Sequence, residues 1–104
     1  MHTLIGRLTT HPGKRDELAA ILLHAAELQA ADPSCRQYAV FVSETDQDAV
    51  WISEAWDTKE THEATLQRSE VRRLVERGRP LLRGMPETIE SLPEGVRALG
   101  GKQP

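Results

Sequence analysis

Cys35-Arg36-Gln37-Tyr38-Ala39-Val40-Phe41-Val42 and, after the polar interval Ser43 to Asp48, Ala49-Val50-Trp51-Ile52-Ser53-Glu54-Ala55-Trp56 are two runs rich in β-branched and aromatic residues. Their separation by a short polar segment predicts an antiparallel hairpin with a loop longer than the tightest turns. Side chains alternate across a strand. Ala39 and Phe41 therefore share one face of the first run, opposite Tyr38, Val40 and Val42. In the second run Val50, Ile52, Glu54 and Trp56 oppose Trp51 and Ala55. Both faces of the hairpin are apolar, so both must find cover.

Working outward, Thr3 to Thr10 alternates as a strand and ends at His11-Pro12-Gly13. From Lys14 to Ala31, Leu18, Ile21, Leu22, Ala25 and Leu28 recur at helical spacing, and Asp32-Pro33 stops that helix. Beyond the hairpin, Asp57 followed three positions later by Glu60 resembles a capping box, which predicts a second helix from near Thr58. Ser69 is placed to cap a renewed helix with Val71, Leu74, Val75 and Gly78 on one stripe, ending near Pro80. Glu87 to Leu92 supplies a last strand. The order β-α-β-β-α-β is the split βαβ arrangement of an α+β, ferredoxin-like fold over residues 1–93, with residues 94–104 a breaker-rich tail that is loose or ordered by a partner.

In that topology two helices cover one face of a four-stranded sheet, and the other is left with an aromatic and β-branched patch that soluble monomers avoid. Each large side chain contributes roughly 1.5 to 3 kcal/mol on full burial. A twofold, sheet-to-sheet homodimer is the expected solution.

The 104 residues have room for one domain. A net charge of -3 from 13 basic and 16 acidic residues gives no concentrated basic face, so no nucleic acid is expected as a partner. No run approaches the roughly 18 to 20 apolar residues of a membrane span, and the first residues read as a strand rather than a leader, so no membrane is expected and the location is cytoplasmic. A single cysteine, Cys35, closes no intrachain disulfide, which fits a reducing compartment. His2, His11, His24 and His62 are scattered and have no cysteine pair, HExxH or phosphate-loop signature beside them, so no metal site is expected.

What remains is Glu54, Trp56 and His62. Glu54 lies on the same strand face as Ile52 and Trp56, and His62 comes one turn into the following helix, so the three converge beneath the helices. A buried carboxylate near an imidazole can move protons near neutral pH, or it can simply tie helix to sheet. Trp56 is read either as core or as a pocket wall. Arg7 is either a solvated arginine or a partner for an acidic substrate or a sheet carboxylate. Tyr38, the lone tyrosine, either packs in a dimer interface or donates a hydrogen bond to a quinone-like oxygen.

The stretch Trp51 to Thr65, a strand ending Glu54-Ala55-Trp56 and then a helix carrying His62 before small residues, resembles the antibiotic biosynthesis monooxygenase (ABM) family. Gly78-Arg79-Pro80-Leu81-Leu82, with Gly84 and the strand that follows, resembles that family's second half. The resemblance implies a dimeric α+β barrel. It also implies quinol-monooxygenase-like chemistry on a small aromatic phenol or quinol substrate, with molecular oxygen and no metal or flavin cofactor. On that likeness His62 and Glu54 are the catalytic candidates, and Trp56, Tyr38 and Arg7 contact substrate. A branch of the superfamily degrades haem with an asparagine, a tryptophan and a histidine; this chain has no asparagine, so that set cannot be assembled, while haem binding through His62 stays open. A non-catalytic small-molecule-binding stress-response module and a cofactor-free isomerase are the other readings.

Overall fold

The computed structural model describes residues 1–90. Its elements are β1 (His2–Thr9), α1 (Arg15–Ala30), β2 (Cys35–Val42), β3 (Ala49–Trp56), α2 (Lys59–Thr65), α3 (Ser69–Gly78), a 3-10 turn over Arg79–Leu81, and β4 (Glu87–Glu90). The strands form one antiparallel sheet in the order β2-β3-β1-β4. This is the ferredoxin-like α+β fold, with its second helix divided in two. The expected strand end at Leu92 and the tail lie outside the described residues.

Local chemistry sets the element ends. Gly13 takes φ 78° in the turn between β1 and α1, a left-handed conformation that disfavours other residues. Arg15 Nη1 donates to the Ser43 carbonyl at 3.0 Å, which fastens the start of α1 to the β2–β3 loop. At the end of α1, the Asp32 carboxylate accepts from the Ser34 backbone N–H and hydroxyl, turning the chain into β2.

The cap of α2 differs from expectation. Thr58 is the N-cap, its hydroxyl accepting from the Thr61 backbone N–H at 3.1 Å while the Thr61 hydroxyl accepts from the Thr58 N–H at 3.2 Å. Asp57 is engaged elsewhere, accepting from Arg36 Nε at 2.6 Å. Ser69 does not cap α3: it is the first helical residue, and its hydroxyl donates to the Glu70 carboxylate.

The two ladders of β3 fix the faces of the sheet. Leu4 stands opposite Glu54, Gly6 opposite Ile52 and Leu8 opposite Val50; on the other edge Tyr38 faces Glu54 and Val40 faces Ile52. All of these lie on the side covered by the helices. The core there is built from Leu18, Ile21, Ala25, Val50, Leu74 and Leu81, with Tyr38 and Val40 packed against it. Trp51 pairs with Arg7 and Phe41 on the opposite side, together with Ile5, Ser53 and Ala39. No described helix covers that side, and Phe41 and Trp51 are left 52% and 38% exposed.

Helix α1 shows how strongly the faces differ. Leu18 is buried against the Gly78 Cα, where an added Cβ would meet its Cδ1 at 3.3 Å, while Leu23 is exposed. Leu18→Ala should therefore lose about 2 to 5 kcal/mol of unfolding free energy, and Leu23→Ala no more than about 0.5 kcal/mol, as read by urea titration.

Candidate active site

Between the helices and the sheet lies a cavity of about 500 Å³, a volume suited to a small organic ligand. Leu18, Ile21, Leu22 and Ala25 of α1 and Val71, Leu74 and Val75 of α3 give it largely aliphatic walls. Its polar groups are few. Tyr38 and Glu54 project from the sheet, His62 and Thr65 from α2, and Gln29 from the last turn of α1, while Arg79 lines the cavity just after α3.

Glu54 is the centre of this group because it is a carboxyl buried among apolar side chains. Trp56, two residues on and therefore on the same strand face, donates from Nε1 to Glu54 Oε1 at 3.1 Å. His62 Nε2 lies 3.8 Å from the same oxygen, close enough for an ion pair when the imidazole is protonated. The His62 ring is held between two others, its centroid 5.5 Å from Trp56 and 5.6 Å from His2. Burial pushes the Glu54 carboxyl up from 4.5 to about 7, and the Trp56 hydrogen bond opposes that rise. A proton is thus exchanged there near neutral pH. Burial, and then the negative charge of Glu54, hold the Tyr38 hydroxyl well above its ordinary value, so it remains a hydrogen-bond donor.

The structure brings Glu54, His62 and Tyr38 to one wall of the cavity. Tyr38 lies on the helix-covered side, not on the uncovered face where a dimer interface would use it. Trp56 is wholly buried and is not in the cavity lining; it meets that lining through its hydrogen bond to Glu54 and its ring contact with His62. Arg7 is not part of the site. Its guanidinium donates to Glu87 at 2.7 Å and lies 5.9 Å from the Trp51 ring centroid, on the uncovered face. Gln29 and Thr65 did not emerge from the motif. The signal for Gln29 was a polar residue continuing the stripe Leu18-Ile21-Leu22-Ala25 at a further four-residue step. No group of three or more His, Cys, Asp or Glu side chains suited to a metal occurs among the described residues.

The model of the antibiotic biosynthesis monooxygenase family matches residues 1–77, from β1 into the last turn of α3. The chain belongs to the ABM family. It shares 38% identity with a protein named for that family from Chloroflexus aurantiacus J-10-fl, over 95% of this chain and 98% of that one, with a TM-score of 0.81. An ABM-named protein from Nitrosomonas europaea superposes with a TM-score of 0.82 at 12% identity, over 90% of this chain and 99% of that one. SnoaB, a cofactor-independent oxygenase from Streptomyces nogalater, gives a TM-score of 0.77 at 15% identity, over 91% of this chain and 94% of that one. The last two likenesses establish shared fold alone. Comparison with curated proteins gives no significant match. No described helix of this ABM chain is long and apolar enough to cross a membrane.

The raised Glu54 carboxyl has a measurable consequence for stability. The folded state holds this proton more tightly than the unfolded chain does, so its contribution is complete below about pH 4.5 and is lost as the pH rises through 7. Relative to Glu54→Gln, the wild type should lose on the order of 3 kcal/mol between about pH 4 and pH 8, read as the difference in urea-unfolding free energies across that range.

Proposed function

We propose that the chain is a cofactor-independent monooxygenase acting on a small aromatic phenol or quinol, with a homodimer as the working unit in a reducing, cytoplasmic setting. The observation that carries this reading is the Glu54–His62 pair on the wall of a largely aliphatic cavity, with Glu54 exchanging its proton near pH 7. Family membership supports oxygenation as the class of reaction.

The chemistry needs little from the protein. Glu54, ionised and beside His62, accepts a proton from the substrate hydroxyl, and the dry walls leave the resulting phenolate poorly solvated and therefore electron-rich. That anion passes one electron to molecular oxygen, and the two radicals combine to form a carbon–oxygen bond in a peroxide. Cleavage of the O–O bond leaves one oxygen atom on the product and releases the other as water. For a hydroquinone the sum is quinol plus oxygen giving hydroxyquinone plus water, with all four electrons drawn from the substrate. Tyr38 donates a hydrogen bond to the substrate oxygen as charge develops on it, and His62 orients the carboxyl and shares its proton. Trp56 holds Glu54 in place from behind.

The test is incubation of purified protein with a panel of quinols in air and under nitrogen. Oxygen-dependent product is expected, with kcat lowered about 100-fold or more in His62→Ala and in Glu54→Gln. Product formed equally without oxygen, or an unchanged rate in both variants, would remove the proposal.

Dimerisation is supported by the uncovered sheet face, where Phe41, Trp51 and Ile5 form an apolar patch beside the Arg7–Glu87 pair. Sedimentation equilibrium at micromolar concentration should give twice the 11.6 kDa of one chain, and Trp51→Glu should shift the population to single chains. A wild type that sediments as a single chain would contradict this.

A further inference from the structure

The polar groups of the cavity form a continuous arc. Glu54 pairs across the sheet with Tyr38 and lies 3.8 Å from His62. Thr65 is three residues beyond His62 on α2, and so on the same side of that helix. The Thr65 hydroxyl donates to Gln29 Oε1 at 3.0 Å, with both residues 3% exposed. All five line the cavity.

The far end is different in kind. Gly78 packs on Leu18, eleven residues before Gln29 on α1, which at about 1.5 Å per residue places it roughly 16 Å away along the helix. Leu18, Leu74 and Leu82 line that end, and Arg79, which also lines the cavity, follows Gly78 there. The polar end therefore has a carboxyl, an imidazole and hydroxyl and amide groups, with no lysine or arginine among them.

Gln29 is the one amide in this arc. Its oxygen is occupied by the Thr65 hydroxyl, which fixes which way the amide is turned. Its nitrogen has no hydrogen bond to a described residue, and Gln29, though only 3% exposed, is part of the cavity lining, which leaves the amide N–H groups as donors at that wall. A primary amide held this way on a dry wall presents donors to an oxygen acceptor on a bound molecule.

We propose that Gln29, oriented by Thr65, is a specificity-determining residue that donates a hydrogen bond to a second, uncharged oxygen of the substrate, apart from the hydroxyl that faces Glu54. The substrate class that follows is an aromatic phenol with a second oxygen acceptor at its polar end and a hydrocarbon body reaching toward Leu18, Leu74 and Leu82. Carboxylated or phosphorylated aromatics are disfavoured, because their charge would lie beside the Glu54 carboxyl with no lysine or arginine at that end. This inference rests on the cavity being the place where a phenolic substrate is held, and its test uses binding alone, so it can fail or stand separately from oxygenation.

The probes are 1-naphthol, with one oxygen, and 5-methoxy-1-naphthol, with the same hydroxyl and a second acceptor. Calorimetric titration under nitrogen should show wild type binding the methoxy probe about three- to tenfold tighter, the range of one neutral hydrogen bond. Gln29→Met, similar in shape but lacking the donors, should bind the two probes equally. Thr65→Val, which releases the amide, should reduce the preference, and Thr65→Ser, which keeps the hydroxyl, should retain it. Circular dichroism and thermal melting of each variant separate this effect from loss of the fold. Equal affinities in the wild type, no measurable binding of either probe, or a preference that survives in Gln29→Met overturns the assignment. Should the predicted preference appear without any oxygen-dependent product, the monooxygenase reading fails while the role of Gln29 stands.

Discussion

Strand β3 is paired along both edges, and the register of those two ladders decides what the helices cover. With Leu4 and Tyr38 both opposite Glu54, the carboxyl is committed to the helix-covered side, and a slip of one residue would put Ser53 or Ala55 there instead. Everything at the site follows from that commitment. Trp56, two residues on, is carried to the same side and reaches the carboxyl with its indole nitrogen, while the chain leaves β3 directly into α2 and brings His62 back over both.

A buried carboxyl opposes folding at neutral pH, and the surroundings of Glu54 offset this only in part. One hydrogen bond comes from Trp56, and no arginine or lysine pairs with it among the described ion pairs. A carboxylate needed only to tie helix to sheet is better served by a full complement of donors, which would lower its proton affinity. Here that affinity is raised to about 7, the range in which a group both gives and takes a proton in water at neutral pH. The aliphatic cavity beside it is the other half of the same arrangement, because the walls that exclude water also raise the carboxyl.

Much of this was legible in the residues. The alternation in the two central strands placed Glu54 and Trp56 on one face, and the stripe Leu18-Ile21-Leu22-Ala25 oriented α1, because periods of 2 and 3.6 translate directly into faces. Three features were not. The role of Tyr38 depended on which face of β2 the helices would cover, which a strand apolar on both sides does not reveal. The α2 cap shifted from Asp57 to Thr58 because Arg36, twenty-one residues earlier, takes the Asp57 carboxylate, a long-range pairing that no local spacing reports. Gln29 was missed for a similar reason: its meaning comes from Thr65, thirty-six residues away.

The proposed proton transfer requires Glu54 to hold its proton to near neutrality at the cavity wall. Infrared difference spectroscopy of wild type against Glu54→Gln, following the protonated-carboxyl stretching band from about pH 4 to pH 9, reads that proton at its own site. A band that disappears with a midpoint of about 7 is the expected result. A midpoint near the ordinary 4.5 would mean that the carboxyl is solvated, and the proton transfer assigned to it would have no basis.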